Sequence, residues 1–269
     1  MDFTIVTPSF NYGHYIADCL RSVADQEGVT FEHLVMDAGS SDATAEIVAR
    51  FPNVEFFQEP DKGMSDGINK GFLKAKGRWV SWLNTDDQLK PGALKAIKEW
   101  AERQPDSDVI YGGWEFTDAE GNVTKTMRPP SFDLNMLIHM GCYIGSTSCF
   151  YRKESVLDDG FLLNVQFKVV MDGEYYARLG RAGKRFSRCP EVLAKFRIHG
   201  ENLSKKNVMA KDIDQILSFQ HQLAESAAIR RAYGWTFFRN PMANGMVDAF
   251  LWFYYRIKKV MSRLLIQVR

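Results

Sequence analysis

Two adjacent carboxylates, Asp86 and Asp87, follow a short apolar run with the composition of a β-strand, in the segment "VSWLNTDDQL". Neighbouring negative charges at a strand end repel each other, and a divalent cation would turn that repulsion into binding. Mg²⁺ and Mn²⁺ take oxygen ligands from one or two carboxylates together with substrate phosphates, so the pair predicts a metal-assisted phosphate site. The alternative is a helix cap ahead of Pro91, because aspartate is favoured at N-caps and in first turns.

Polar loops also follow three other strand-like runs in the first half of the chain. These loops read "TPSFN", "DAGSSD" and "EPDKG". Turn-forming residues account for part of this composition. A succession of polar loops nevertheless favours a ligand site, because the carboxyl ends of parallel strands meet at one edge of a sheet, where ligands bind.

The elements that must position these loops are short apolar runs alternating with helical segments. The strand-like runs are "FTIVT", "FEHLVM", "VEFF", "WVSWL" and "DVIYG". The helical segments between them cover residues 12–26, 42–50, 64–76 and 92–103. This alternation is typical of βαβ units, so we expect an α/β fold whose mostly parallel, Rossmann-like central sheet is flanked by helices.

The second half of the chain has a different pattern. A hairpin is predicted about residues 120–122, and "TSCFYRK" and "VLAKFRI" are interpreted as further strands. No linker, repeat or low-complexity tract separates another domain before about residue 205. Residues 206–232 and 244–268 are predicted to be helical. The expected division is therefore a main domain, residues 1–205, followed by a helical C-terminal extension, residues 206–269.

The composition narrows the class of protein. Of the 269 residues 45% are hydrophobic, and 34 Lys and Arg nearly balance 33 Asp and Glu, which argues against nucleic-acid binding. The four cysteines are scattered without a C-x-x-C pair and no signal peptide is indicated, so a reduced, cytoplasmic setting is expected. Neither G-x-G-x-x-G nor the P-loop pattern occurs, which disfavours dinucleotide and P-loop chemistry.

Six segments resemble, in this order, the successive motifs of family 2 glycosyltransferases. They are "TIVTPSFN", "VMDAGSSDAT", "EPDKGMSDGINKG", "GRWVSWLNTDD", "VVMDGEYYARLG" and "FRIHGENLS", and together they cover about residues 3–205. The resemblance implies the GT-A fold and an inverting enzyme that moves a sugar from a nucleotide-sugar donor to a hydroxyl of a glycan or lipid-linked acceptor. A UDP-sugar is the expected donor, because uridine is the usual base in the family.

The resemblance also assigns residues to the nucleotide site, from three loops at the strand ends. Those expected to hold the nucleoside are Thr7, Pro8, Ser9, Asn11 and Asp37. Those expected to approach it from the loop after the third strand are Asp61, Lys62 and Asp66.

The metal site is implied by the same resemblance. The acidic motif of the family binds Mn²⁺ or Mg²⁺ and the diphosphate, and "NTDD" fills its place. Asp87 is expected to ligate the metal directly and Asp86 to contact the ribose or the donor sugar. His199 is expected to be a further metal ligand, with Arg197 and Ser204 assisting at phosphate.

An inverting transfer needs a base, because an alcohol is a poor nucleophile until a carboxylate takes its proton. The stretch "MDGEYYARLG" resembles the family's base-bearing helix start, which makes Asp172 the expected general base and Glu174 the second choice. The two are two residues apart and would point in different directions on a helix. The alternative is that Asp172 only caps the helix.

The C-terminal extension has a pattern of its own. Apolar residues recur at spacings of three and four between Phe250 and Val268, with basic residues opposite, which predicts an amphipathic helix. Such a helix can lie on an anionic membrane, which would place the enzyme at the cytoplasmic face beside a lipid-linked acceptor. The alternative is that this apolar face packs on the catalytic domain or on a second copy of the chain.

Two rival classes remain. A nucleotidyltransferase of related fold would carry a glycine-rich phosphate loop after the first strand, and "TPSFNYG" is a poor version of one. A non-catalytic nucleotide-sugar-binding protein would be expected to have lost the acids, whereas Asp37, Asp87 and Asp172 are all present.

Overall fold

The computed structural model describes residues 1–200, 202, 213–233, 253, 254 and 257, and gives the backbone alone for residues 213–220. The strands of these residues are β1 (Phe3–Ser9), β2 (Phe31–Asp37), β3 (Val54–Gln58), β4 (Trp79–Trp82), β5 (Gln88–Leu89), β6 (Val109–Thr117), β7 (Val123–Met127), β8 (Cys149–Arg152) and β9 (Phe186–Arg197). The α-helices are α1 (Gly13–Ala24), α2 (Thr44–Val48), α3 (Met64–Lys74), α4 (Ala93–Arg103), α5 (Leu134–Met140), α6 (Met171–Arg181) and α7 (Ile213–Tyr233), and a short 3₁₀ helix and a short π-helix cover Ser146–Ser148 and Lys153–Leu157.

The strands of the described residues form one mixed sheet. Its order is β3, β2, β1, β4, β8, β6, β9 and β5, and β7 pairs with β6. Strands β1 to β4 run parallel, whereas β8 is antiparallel to both β4 and β6. In the β1–β2 register Ser9 lies opposite Asp37. The carboxyl ends of β1 to β4 therefore meet at one edge, as the sequence pattern predicts.

Helices cover both faces of this sheet. Along β1, Phe3 and Ile5 belong to one buried cluster and Val6 to another, because alternate residues of a strand point to opposite faces. The cluster on one side packs α1 and α4 against the sheet, and the cluster on the other side packs α3, α5 and α6. In the second cluster the ring of Trp82 stacks on that of Tyr151, with centroids 5.4 Å apart.

The alternation of strands and helices up to α4 is confirmed, with ends that differ by a few residues from those predicted. The predicted hairpin is β6–β7, and in its turn Asp118 accepts hydrogen bonds from the backbone and side-chain nitrogens of Asn122 (2.8 and 3.0 Å). Helix α5 and strand β5 were not predicted. The first is short and begins at an aspartate cap, and the second has two residues and depends on pairing with the distant β9.

Helix α7 confirms most of the first helical segment predicted after residue 205. The second segment, residues 244–268, lies outside the described residues except for Phe253, Tyr254 and Ile257, which are helical and exposed. Ser204 lies outside them too. Of the helices described, none is long and apolar enough to cross a membrane. Four predictions stay predictions: the amphipathic C-terminal helix, its contact with a membrane, its contact with a second copy of the chain, and the domain boundary at residue 205.

Candidate active site

The polar loops after the parallel strands come together at one edge of the sheet. The hydroxyl of Thr85, after β4, donates a hydrogen bond to the carbonyl of Pro8 in β1 (2.6 Å). Gly67 of α3 stands so close to Asp61 and Pro8 that a Cβ on it would lie 2.8 Å from the Asp61 carboxylate and 3.9 Å from the proline ring. The loops after β1, β3 and β4 thus share one surface.

Asp37 shapes the loop that follows β2. Its side chain is buried, and Oδ1 accepts hydrogen bonds from the backbone nitrogens of Gly39 and Ser40 (3.0 and 2.7 Å) and from the amide of Gln58 (3.2 Å). The hydroxyl of Ser40 donates to Oδ2 at 2.5 Å. The carboxylate predicted to contact base or ribose therefore fixes the shape of its own loop.

Ser9 and Asn11 lie beside this loop. Asn11 adopts a left-handed backbone conformation with φ of 55°, its backbone nitrogen donates to the hydroxyl of Ser40 (2.8 Å), and its side-chain oxygen accepts from Ser41 (2.9 Å). The hydroxyl of Ser9 is buried without a hydrogen-bond partner among the described residues. An unsatisfied buried hydroxyl at a strand end is suited to a ligand that supplies its missing partner.

Thr7 does not face the site, contrary to its predicted role in nucleoside binding. Its side chain is fully buried, and its hydroxyl lies 2.8 Å from Nε2 of His33 inside the sheet. Burial lowers the pKa of His33 to about 3, which keeps the ring neutral. Thr7 stands two residues before the strand end, where Cys19 of α1 covers it (3.7 Å). The structure therefore places Thr7 in the core.

The loop after β3 carries the other predicted donor-site residues. Asp61 accepts a hydrogen bond from the backbone nitrogen of Gly63 (2.7 Å), and Asp66 accepts one from the backbone nitrogen of Lys62 (3.0 Å). Gly63 has a φ of +113°, which favours glycine. Both carboxylates therefore fold the loop, and the side chain of Lys62 is exposed.

The neighbouring carboxylates Asp86 and Asp87 point into different surroundings. Asp87 is 1% exposed, and its two oxygens accept hydrogen bonds from the backbone nitrogen of Arg197 and the amide of Asn84, both at 3.1 Å. Burial, and then the charge of Asp86, raise the pKa of Asp87 well above its usual value. Asp86 remains partly exposed, with Oδ2 lying 2.9 Å from Nε2 of His199. This arrangement favours Asp86 over Asp87 as the carboxylate that meets a ligand.

His199 is held against Asp86 from several sides. The amide of Asn202 donates to Oδ2 of Asp86 (3.1 Å) and to the carbonyl of Arg197 (2.9 Å), and its oxygen accepts from the backbone nitrogen of His199. The ring of Tyr15 from α1 packs on the imidazole, with centroids 4.7 Å apart. The imidazole and the carboxylate are therefore presented as a pair of fixed orientation.

The donor set at this pair suits a divalent cation. Asp86 offers a carboxylate oxygen and His199 an imidazole nitrogen. Asn84, two residues before Asp86, bonds to Asp87 through its amide nitrogen, and its buried amide oxygen has no hydrogen-bond partner in the described part of the chain. No three His, Cys, Asp or Glu side chains of the described residues converge on one point as a complete cage. Mg²⁺ commonly takes one or two protein carboxylates and completes its shell with substrate phosphates and water.

The guanidinium of Arg197 is engaged in hydrogen bonds within the protein. Its Nε donates to the carbonyl of Asp86 (3.2 Å), Nη1 to the carbonyl of Ala119 (2.9 Å) and Nη2 to the carboxylate of Asp18 (2.9 Å). The guanidinium also lies over the ring of Tyr15, 4.9 Å from the centroid. With its side chain buried and these donors engaged, Arg197 anchors the loop after β4, and the predicted role at phosphate does not fit its contacts.

Asp172 lies in the first turn of α6 and remains partly exposed. Its Oδ2 is 3.9 Å from Sγ of Cys142, and the backbone nitrogen of Gly173 donates to Oδ1 at 2.7 Å. Burial raises the pKa of Asp172 to about 6. Such a carboxylate is ionised at neutral pH and accepts a proton more readily than an ordinary aspartate, which suits a general base.

The carboxylate of Glu174 is engaged by other side chains and is poorly placed to act as a base. It is 1% exposed, forms an ion pair with Arg178 (2.9 Å) and accepts a hydrogen bond from the hydroxyl of Tyr233 in α7 (2.9 Å). A buried carboxylate held by two partners fixes the packing of α6 on α7. Of the two acids predicted as base, Asp172 is therefore the one whose surroundings fit the role.

Four further residues at the site were missed from the sequence. Asn84 begins the "NTDD" motif and Asn202 follows His199 by three residues, so both stood inside segments already singled out. Tyr15 and Cys142 carry no local signal, because they reach the site through the packing of α1 and of the segment after α5.

The fold described above is that of the GT-A class of glycosyltransferases. The family model described as Glycosyl transferase family 2 matches residues 4–161, more than half of the chain. This chain belongs to that family, which confirms the resemblance noted in the sequence. The protein MT1568 of Mycobacterium tuberculosis is 31% identical in an alignment of 199 residues, which covers 65% of this chain and 61% of that protein.

Solved structures support the fold. TarS of S. aureus, in a crystal structure of residues 1–349 in complex with UDP, is similar with a TM-score of 0.62 and 21% identity, over 87% of this chain and 72% of that one. The mannosyltransferase PcManGT from Pyrobaculum calidifontis, in complex with GDP-Man and Mn²⁺, is similar with a TM-score of 0.57 and 16% identity, over 98% and 84%. At such identities the likeness establishes the shared fold, and the predicted fold class is confirmed.

The contacts of Arg197 lead to a stability prediction. Replacing it by alanine removes a charged donor from two carbonyls and a carboxylate, so we expect the free energy of unfolding to fall by about 2–3 kcal/mol. Lysine should not restore it, because one ammonium cannot reproduce the planar fork. Denaturant unfolding measures the effect, and Arg103→Ala, at an exposed ion pair, should change it by less than about 0.5 kcal/mol. Unchanged stability with a loss of nucleotide affinity would instead restore the phosphate role.

Proposed function

We propose that this chain is an inverting glycosyltransferase that moves a sugar from a nucleoside diphosphate to a hydroxyl of a glycan or lipid-linked acceptor. The observation that carries the proposal is the contact of Asp86 with His199, at 2.9 Å, on the edge where the loops after β1 to β4 meet. Membership of family 2 supports the reaction class. The chain spans 61% of the length of its relative MT1568, so the activity is proposed for the part described here.

The proposed donor is a sugar linked to UDP. The TarS complex contains UDP and the PcManGT complex contains GDP-Man, so related folds bind nucleotides with either base. The resemblance of the strand-end motifs favours uridine. The buried hydroxyl of Ser9 and the loop shaped by Asp37 supply hydrogen-bonding groups at the place where the nucleoside would lie.

Asp86 and His199 are the proposed metal ligands, and Asn84 adds an amide oxygen. A bound Mn²⁺ or Mg²⁺ would neutralise the charge that develops on the departing diphosphate. Asp87 is proposed to stabilise the loop after β4 from its buried side, because its two oxygens accept hydrogen bonds from Arg197 and Asn84. The Mn²⁺ in the PcManGT complex supports metal use in a protein of this fold.

Asp172 is the proposed general base. The acceptor oxygen forms a bond to the anomeric carbon while Asp172 takes its proton, and the bond from that carbon to the diphosphate oxygen breaks with its electron pair leaving on the diphosphate. Attack from the face opposite the leaving group inverts the configuration. The partial exposure of Asp172 and its raised pKa support this role.

Nucleotide binding tests the donor and metal assignments. We expect UDP to bind at least about tenfold more tightly with Mn²⁺ than without it, because Asp86 would hold a cation whose charge offsets that of the diphosphate. Calorimetric titration of the wild type and of Asp86→Asn, with and without Mn²⁺, measures the affinity for UDP. The variant should lose the increase in affinity that Mn²⁺ gives the wild type. Asp106→Asn, at a side chain that is 80% exposed, is the matched control and should keep it. Metal-independent binding of every nucleoside diphosphate tried would contradict the proposal.

Replacing Asp172 by asparagine tests the base. The amide cannot accept the proton, so kcat should fall about 10²–10⁴-fold, while the Kd for the donor stays within about twofold. Steady-state transfer assays and donor titration, made on the same preparation, separate the two quantities. Turnover equal to that of the wild type would remove Asp172 from the mechanism.

The pH dependence follows from the same carboxylate. Burial raises the pKa of Asp172 to about 6, so the group is deprotonated and competent above that pH and becomes protonated as the pH falls through it. We expect kcat/KM to be level above about pH 7 and to fall about tenfold per pH unit below pH 6. Circular dichroism over the same range must report a folded protein. An acid limb centred near pH 4 would contradict the assignment.

A further inference from the structure

One face of α7 is directed at the helix that carries Asp172. Glu225, Ile229 and Tyr233 are spaced by four residues, so their side chains lie along a single stripe of α7. Each of them contacts α6 or the segment that leads into it. The stripe therefore runs beside α6 from its start to its end.

Glu225 holds the chain where it enters α6. Its Oε1 accepts a hydrogen bond from the backbone nitrogen of Lys168 (2.7 Å), and its Oε2 accepts from those of Val169 and Val170 (3.0 and 2.9 Å). Val170 is the N-cap residue of α6, two positions before Asp172. Nitrogens at a helix start have no partner within the helix, and a carboxylate there also interacts favourably with the helix dipole.

The other two residues continue the contact along α6. Ile229 is 7% exposed, and its Cδ1 lies 3.9 Å from the position that a Cβ on Gly173 would occupy. Tyr233 donates from its hydroxyl to Glu174, and its carbonyl accepts from the guanidinium of Arg181 at the end of α6. Glu225 is thus one of three anchors on α6, and it is the one that holds the entry to this helix.

The segment that leads into α6 also contacts the loop after β3, which is proposed to approach the donor. The ammonium group of Lys168 donates a hydrogen bond to the carbonyl of Lys62 (2.7 Å), in the loop after β3. The backbone nitrogen of Lys168 is held by Glu225. One residue therefore connects α7, the entry to α6 and the loop proposed to approach the donor.

We propose that α7 is part of the catalytic unit and that Glu225 is a positioning residue, which fixes the entry to α6 and thereby the place of Asp172. The inference rests on the proposed role of Asp172 as base. It assigns α7 a function in the reaction that the sequence, which predicted an extension separate from the main domain, did not suggest.

The test compares Glu225→Ala and Glu225→Gln with Leu223→Ala, which truncates a side chain that is 51% exposed two residues away on α7. We expect Glu225→Ala to lower kcat about 10- to 100-fold with the donor KM within about twofold, because a small misplacement of a catalytic group is costly. Its acid limb should also move to lower pH as Asp172 becomes more solvated. Glu225→Gln keeps one acceptor oxygen and should regain part of kcat, which also covers the case in which the alanine variant does not fold. Leu223→Ala should behave as the wild type.

A second measurement does not depend on transfer. As a residue Cys142 is exposed, while the other three cysteines are buried, and its sulfur lies 3.9 Å from the carboxylate of Asp172. Desolvation of the sulfur by the atoms packed around it, and then the charge of Asp172, raise the pKa of the thiol. If Glu225 holds α6, its removal should speed alkylation of Cys142 by iodoacetamide several-fold, measured by mass spectrometry of the folded protein, because the thiolate forms more readily.

The outcomes are separable. A wild type that transfers no sugar defeats the proposed function, and the labelling rates still decide whether Glu225 controls α6. Wild-type values of both kcat and labelling rate in folded Glu225→Ala would overturn the inference. So would a fall in kcat that only matches the loss of folded protein, with the acid limb and the labelling rate unchanged.

Discussion

The site depends on how the chain separates two negative charges that are joined by one peptide bond. Asp87 turns inward, where the backbone of Arg197 and the amide of Asn84 satisfy it, and Asp86 turns outward to His199. A buried carboxylate is tolerated only when it is hydrogen-bonded, so β9 must pass close enough to supply its nitrogen. The pairing of β5 with β9, immediately after the acidic loop, brings it there.

The edge that carries the site could be predicted from the sequence, because alternating strands and helices fix where parallel strands end, and turn-forming residues mark those ends. This reasoning located Asp37, Asp61 and Asp86 correctly at one edge. It could not say which carboxylate is buried, because the partner of Asp87 lies 110 residues away. Glu174 was misjudged for the same reason, since the hydroxyl that holds it comes from a residue 59 positions later.

The helix that follows the loop of Asp61 packs directly against the start of the helix that carries Asp172. Asn69 of α3 forms two hydrogen bonds with the backbone of Leu163 (2.9 and 2.8 Å), and the hydroxyl of Ser65 reaches the sulfur of Met171 (2.9 Å). Helix α3 begins directly after the loop of Asp61, and Met171 begins α6. The spacing between the loop of Asp61 and the start of the helix that carries Asp172 is therefore set by side chains in contact.

The loop after β2 has a consequence for the thermodynamics of ligand binding. Asp37 accepts hydrogen bonds from the backbone nitrogens of two consecutive residues of this loop, Gly39 and Ser40. Asn11 donates from its backbone nitrogen to the hydroxyl of Ser40 and accepts with its side-chain oxygen from the backbone nitrogen of Ser41. Ordering a loop on association costs conformational entropy, and a loop ordered in advance avoids that cost. A nucleoside bound as proposed would meet a surface whose shape was set during folding, and selectivity between bases would then depend on the fit of the base to that surface.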